Sequence, residues 1–311
     1  MSNADYEVVT QSGIVDGYKK KNILYWDDIP YAQPPVKELR WKAPRRINQS
    51  QNIILPKEDN FCIQRPSNLG GVEGEDGFIG TEDCLYLDII APSKKNDGFL
   101  PVMFWIHGGG NTSGLKDLYD FSKMSRKHDV IVVRINYRLG PFGWFTHPAI
   151  QDLQEGDDKT SNFGTLDIIA ALKWVQNNIN LFGGDSNNVT IFGESAGGHN
   201  VYSLIASKRA NGLFHKAIAM SGYTSSISTE YAYKQEKSSS TSDFTSANVV
   251  KYLTKDIQTN LSKVEIRKTL LSLSANEFFE IYSNRESYQE IPLLTADNIV
   301  IPDIGLRRTL S

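Results

Sequence analysis

NNVTIFGESAGGHNVYSLIA (187–206) passes from a short apolar run into a helical pattern through a turn that holds three glycines and one serine. VTIF (189–192) reads as a buried strand, and the apolar spacing after Gly198 reads as a helix. Gly193-Glu194-Ser195-Ala196-Gly197 fits the G-x-S-x-G pattern of a nucleophile elbow, in which a tight strand-to-helix turn lifts a serine out of the backbone. On its own the pattern is weak; between a strand and a helix it is specific. The helix behind Ser195 would aim its N-terminal N–H groups and positive dipole end at the same point.

Working outward, VMFWI (102–106) is a continuous apolar run that ends at His107-Gly108-Gly109-Gly110, and VIVVRI (130–135) is another that ends at NYRLG. Residues 162–179 carry a helical stripe through Ile168, Leu172, Val175 and Ile179, widened by Leu166, Ile169 and Ala170, with Ser161 and Asn162 as candidate caps. AIAM (217–220) follows the second helix as a further strand. Continuous apolar strands alternating with helices predict an α/β fold with a parallel sheet covered on both faces. The N-terminal quarter, with EVVTQSGIV, NILYWDDIPYAQPPV and LYLDIIAP broken by Gly, Pro and Asp, predicts antiparallel strands and hairpins. Residues 224–246 are Ser/Thr/Lys-rich and read as a surface excursion, and amphipathic helices are expected over 248–258 and 263–282.

In such a sheet, chemistry sits where strands end. Gly-rich backbone after VMFWI can aim the N–H groups of Gly109 and Gly110 at a developing oxyanion, with that of Ala196 as a third donor. Hydrophobic residues at 40%, charged ones at 22% and a net charge of −3 over 311 residues describe an ordinary globular chain. They give no electrostatic reason to expect nucleic acid or an anionic membrane. No apolar run approaches the roughly 18 residues of a membrane helix, and MSNADYEVVTQSGIVDG lacks the basic and apolar regions of a signal peptide. The two cysteines, Cys62 and Cys84, are either buried thiols or a disulfide. No metal or cofactor is expected.

FGGDSNNVTIFGESAG (182–197) resembles the serine signature of the type-B carboxylesterases, the family that includes the cholinesterases, and EDCLYLDIIAP (82–92) resembles its cysteine-centred signature. IPYAQPPVKELRW (29–41), NYRLGPFGW (136–144), FHKAIAMSG (214–222) and ADNIVIPD (296–303) follow the family pattern as well. The likeness runs from about residue 7 to the end, so 1–311 is expected to be one partial carboxylesterase domain. It implies the α/β-hydrolase fold and hydrolysis of a small carboxylic ester through an acyl-serine. By the same resemblance Ser195 is the nucleophile, Gly109, Gly110 and Ala196 form the oxyanion hole, and Glu194 is the acidic neighbour of the nucleophile. Ser221 matches a buried serine that supports the triad. The resemblance also implies that Cys62 and Cys84 pair, and with that pair a secreted or extracytoplasmic protein; a cytoplasmic one is the alternative, given a start without signal-peptide features.

The family triad runs Ser, then Asp or Glu, then His. Only His199 and His215 follow Ser195; one is fixed to the elbow helix and the other opens the next strand at its far end, so both are expected to be structural. The expectation is a chain that lacks the triad acid and histidine, as the N-terminal part of a longer enzyme or an inactive shortened product. A non-catalytic binding protein on the same fold is the alternative, and the intact elbow argues against it. The hormone-sensitive-lipase-like branch, which also carries HGGG, would need a histidine near residue 311, and none is present. Between the cysteines the loop offers only Phe78 as an aromatic face for a quaternary ammonium, and its carboxylates (Glu73, Glu75, Asp76) read as a solvated acidic stretch. A general carboxylesterase is therefore expected rather than a cholinesterase. Asn111 places an amide where relatives often carry an apolar side chain. The sequons at Asn48, Asn111, Asn188 and Asn260 decide nothing, since two lie inside motif segments.

Overall fold

The computed structural model of the chain describes residues 6–48, 52–57, 60–68, 70–74, 77–94, 98–233, 246–255, 260–283 and 294–311. Most of the Ser/Thr/Lys-rich stretch (234–245), together with Glu75 and Asp76, lies outside them. β1 (Val8–Thr10) and β2 (Gly13–Val15) form a hairpin. β3 (Tyr18–Lys20) and the longer β4 (Ile23–Pro30) form a second one, and β5 (Ile53–Ile54) joins β2 in parallel. The remaining strands are β6 (Tyr86–Pro92), β7 (Leu100–Ile106), β8 (Ile131–Ile135), β9 (Gly184–Glu194), β10 (Lys216–Met220), and the pair β11 (Ser226–Ser228) and β12 (Leu294–Ala296).

Seven of them make one sheet in the order β10-β9-β7-β8-β6-β4-β3. β3, β4, β6 and β8 pair antiparallel, whereas β8-β7, β7-β9 and β9-β10 pair parallel. The N-terminal runs thus build the antiparallel wing, exposed at β3 and buried at β6, and the continuous apolar runs build the parallel half. Val102, Phe104, Ile106, Ile131, Val133, Ile135, Val189 and Ile191 are fully buried and form its spine.

The helices are α1 (Ser122–His128), the short turns α2 (Gly140–Gly143) and α3 (Pro148–Gln151), α4 (Phe163–Asn178), α5 (Ala196–Ala206), α6 (Thr229–Tyr233), α7 (Ser246–Leu253), α8 (Lys263–Ser272), α9 (Ala275–Ser283) and α10 (Leu306–Thr309). α4 buries its stripe as the spacing requires, with Ile168, Leu172, Val175 and Ile179 fully enclosed. The expected side-chain cap is absent. Asn162 occupies the N-cap position without capping; its amide accepts from the Thr295 N–H at 2.9 Å and donates to the Thr295 carbonyl at 2.8 Å. A backbone strand 133 residues away competes better for that amide than the helix's own first turn. A second apolar cluster, built on Trp41, Phe142, Phe145, Phe163, Phe278 and Phe279, ties α7, α8 and α9 to the 139–145 turn.

β10 departs from the expectation of a strand covered on both faces. It is the edge of the sheet, and Ile218 and Met220 are 45% and 38% exposed. Among the described residues no strand pairs with its outer side.

Cys62 and Cys84 are bonded, with Cα atoms 4.9 Å apart, which closes the alternative of two free thiols. The bridge spans a sequence separation of 22 residues, and closing a loop of that length in the unfolded chain stabilises the fold by about 3 kcal/mol in the chain-entropy model. Cys62→Ser/Cys84→Ser should therefore lower the urea midpoint by the equivalent of about 3 kcal/mol. An unchanged midpoint would show that the bridge does not constrain the unfolded chain.

Candidate active site

β9 carries its apolar run into the centre of the parallel half and ends at Glu194. Ser195 then takes φ 56° and ψ −118°, and α5 begins at Ala196, with the His199 N–H donating to the Ser195 carbonyl at 3.0 Å. A non-glycine residue at positive φ in this region is strained, and the surrounding packing must hold it there. That packing is visible at Gly197: a Cβ there would stand 2.1 Å from the Ile106 carbonyl oxygen, so any side chain would push the elbow away from the end of β7.

The glycine loop meets the elbow at Gly108. A Cβ there would lie 3.3 Å from the Cβ of Ser195 and 2.7 Å from the carbonyl oxygen of Glu194. Beyond it Gly109, Gly110 and Asn111 all have positive φ (96°, 65° and 59°), which turns the chain back so that the N–H groups of Thr112 and Ser113 close on the Gly109 carbonyl. The N–H groups of Gly109 and Gly110 donate to no group among the described residues. Ala196, the first residue of α5, has by position an N–H with no intrahelical acceptor. Three unengaged donors therefore belong to the loop and the helix that flank Ser195.

The other residues singled out from the sequence are placed less simply. Glu194 is half-buried at the end of β9, beside Met220 of β10. Ser221 sits at φ 51° and is exposed, where the resemblance implied a buried serine. The open edge of β10 leaves that end of the strand uncovered. Asn111, by contrast, is wholly buried, so its sequon lies in the core. Glu73 is exposed.

Among the described residues no histidine ring hydrogen-bonds to Ser195. His199 is buried with its Nε2 2.8 Å from the Ser225 carbonyl and its ring on Tyr223, centroids 4.0 Å apart. His215 lies at the start of β10, where its Nδ1 accepts from the Val189 N–H at 3.2 Å, at the opposite end of the sheet from the elbow. His107 stacks on Tyr137 at 4.4 Å, and its Nδ1 contacts the Gly108 carbonyl. His147 accepts from the Ala149 N–H, and His128 is the exposed last residue of α1. No group of three or more His, Cys, Asp or Glu that could hold a metal ion occurs among the described residues. No described helix is long and apolar enough to cross a membrane.

Burial pushes His107 and His199 down to about 4 from the ordinary 6.5. The folded chain therefore keeps both neutral, while the unfolded chain protonates them as pH falls through 6.5. Their contribution to stability is full above pH 6.5 and is lost progressively down to about pH 4, with a slope of up to about 1.4 kcal/mol per pH unit for each ring. Urea titrations at pH 7, 6 and 5 should show stability dropping with each step. A flat profile would mean that the rings are protonated in the fold.

Sequence reading missed the contacts that hold this region from behind. Arg138, three residues past the end of β8, forms a bidentate pair with Asp167 of α4, both N···O distances being 2.7 Å. Lys116, just past the glycine loop, is buried against Asp28 and Asp88, each at 2.9 Å. Asn111 reaches Asn200 of α5. A charged residue in an apolar context, such as Asp167 within the α4 stripe, was the available signal for the first.

The model of the carboxylesterase family matches residues 4–304. The para-nitrobenzyl esterase of Bacillus subtilis (strain 168) is 41% identical over 227 residues, covering 72% of this chain and 45% of that protein. Carboxylesterase 1E of Rattus norvegicus is 36% identical over 291 residues, covering 88% of this chain and 49% of that protein. Among solved structures, a thermophilic PNB esterase superposes with a TM-score of 0.79 at 31% identity, over 98% of this chain and 60% of its own. The chain thus spans about half the length of the curated relatives it matches.

Proposed function

The chain belongs to the carboxylesterase family, which it matches over residues 4–304, and we propose that Ser195 is the nucleophile with which it opens carboxylic esters. Ser195 Oγ attacks the ester carbonyl and gives up its proton to a general base. The carbonyl oxygen becomes an oxyanion, held by the N–H groups of Gly109, Gly110 and Ala196. The base returns the proton to the leaving alcohol, an acyl-serine remains, and water releases the acid by the reverse path. The observation that carries this reading is the close approach of Gly108 to the elbow, where an added Cβ would stand 3.3 Å from the Cβ of Ser195, which brings the glycine loop and its unengaged donors to the elbow. Glu194 and Ser221 are supporting residues in this proposal.

The proposal assigns the base and its acidic partner to residues outside these 311, on the same polypeptide or a second one, because no described histidine ring hydrogen-bonds to Ser195 and the two that follow it are held by Ser225 and Val189. The substrate class is a small uncharged ester. Phe78 offers no free face to a quaternary ammonium: it stacks on Phe279 at 4.6 Å and carries the Arg65 guanidinium over its ring at 4.5 Å. The disulfide fits an oxidising compartment, so the proposal places the protein outside the cytosol. Hydrolysis of 4-nitrophenyl butyrate, measured for the 311-residue chain and for a longer polypeptide that carries a histidine base, each with and without Ser195→Ala, tests the reading. Turnover indifferent to Ser195 in both forms would reject it.

A further inference from the structure

We propose that Asn200 and Asn111 form a clasp that aims the glycine loop at the reaction centre, which makes Asn200 a positioning residue for the oxyanion hole. The proposal rests on the reading of Ser195 and that loop given above.

Asn111 follows Gly110 directly and sits at φ 59°, a region that asparagine tolerates better than most side chains. It is fixed at two points. Its carbonyl accepts from the Gly140 N–H at 2.7 Å, and its Oδ1 accepts from Asn200 Nδ2 at 2.9 Å. The Tyr137 hydroxyl stands 3.5 Å from the same Oδ1 and donates to the His107 carbonyl at 2.6 Å, at the other end of the loop. Asn200 lies on α5, the helix for which Ser195 is the N-cap residue. The amide pair therefore joins the last residue of the glycine loop to the rigid element that carries the serine.

Both side chains are 0% exposed, and Asn111 Nδ2 and Asn200 Oδ1 have no hydrogen-bond partner among the described residues. Two half-satisfied amides are costlier inside a core than two apolar side chains of the same volume. What they supply in return is direction, since apolar packing leaves a loop free to slide whereas one buried hydrogen bond fixes it. An oxyanion hole needs that precision, because its donors work only when held within about 0.5 Å of the productive geometry.

The test uses Asn200→Leu, which keeps the volume without the bond, Asn111→Gly, which keeps the positive φ without the side chain, and the double variant. Kinetics are measured in the form of the protein that shows Ser195-dependent turnover, and amide hydrogen exchange in the 311-residue chain at Gly140, whose N–H is bonded to the Asn111 carbonyl, and at Ser113, whose N–H closes on Gly109. Each single variant is expected to lower kcat about tenfold with KM unchanged, a fraction of the 10²–10³ that losing a donor outright costs. Exchange at Gly140 should quicken, and the double variant should be no worse than the poorer single, because both changes break one bond. Unchanged exchange overturns the clasp. Quicker exchange with unchanged kcat overturns its role in positioning, as does a kcat loss that adds fully in the double variant. If Asn200→Leu fails to fold, Asn111→Gly carries both measurements. Should Ser195→Ala leave turnover intact, the nucleophile assignment fails and takes the positioning role with it, while exchange still reports whether the clasp holds the loop.

Discussion

Ser195→Ala is expected to lower kcat by about 10⁶ in a form of the enzyme that carries its general base, the scale measured when the serine or histidine is removed from a complete triad. KM should change little, because the hydroxyl contributes to the reaction rather than to holding the ester. In the 311-residue chain the same substitution should have a small effect. On the proposal that the base lies outside these residues, Ser195 is a weak nucleophile at neutral pH. Whatever turnover the chain shows then comes from ester binding and the N–H groups of the glycine loop, roughly 10³–10⁴ over the water reaction. The contrast between the two backgrounds is the informative quantity. Stopped-assay hydrolysis of 4-nitrophenyl butyrate, with active sites titrated in the longer form, measures both. Full Ser195-dependent turnover in the 311-residue chain would mean that one of its own histidines, or a second chain, reaches the serine.

The parts of the fold that could be read in advance are those whose cause is local. VMFWI, VIVVRI and VTIF are apolar but for Arg134 and Thr190 because both faces of the strands they form are packed, so hydrophobicity reported β7, β8 and β9. The glycines of GESAGG were legible because the elbow is pressed on the Ile106 carbonyl, and only glycine fits at 197. What escaped has distant causes. The Asn162 amide looked like a helix cap, but Thr295 competes for it from another strand. AIAM looked like a buried strand because its composition is that of one, yet β10 stands at the sheet's edge and leaves Ile218 exposed. Nothing in the sequence around Ser221 says which side of that strand is covered. Asn111 was noticed as an amide at an unusual place; its partner, 89 residues later, could be found only from the geometry.

Asp167→Ala is expected to cost 3–5 kcal/mol, the usual consequence of removing one member of a buried ion pair. Asp167 is 0% exposed and Arg138 2%. The carboxylate accepts from both Nε and Nη2 of Arg138 at 2.7 Å and from the Arg138 backbone N–H at 3.1 Å. Two opposing influences act on that carboxylate: burial raises its pKa, and the guanidinium lowers it. The bidentate geometry favours the ionised form, since an arginine does not give up its proton in exchange. Deleting Asp167 strands the guanidinium among apolar neighbours, with Nη1 already lacking a partner among the described residues. The double variant Arg138→Met/Asp167→Leu removes both charges and should recover most of the loss, because the pair's attraction roughly balances its desolvation. The loss should reach the candidate active site as well. Arg138 precedes the turn whose Gly140 N–H holds the Asn111 carbonyl at 2.7 Å, so a displaced Arg138 loosens the glycine loop from behind. Urea denaturation of the wild type, the single variant and the double variant decides the energetic claim. A single variant within about 1 kcal/mol of wild type, the range of an exposed pair, would show that water reaches Arg138 and that the 138–140 turn is not anchored through Asp167.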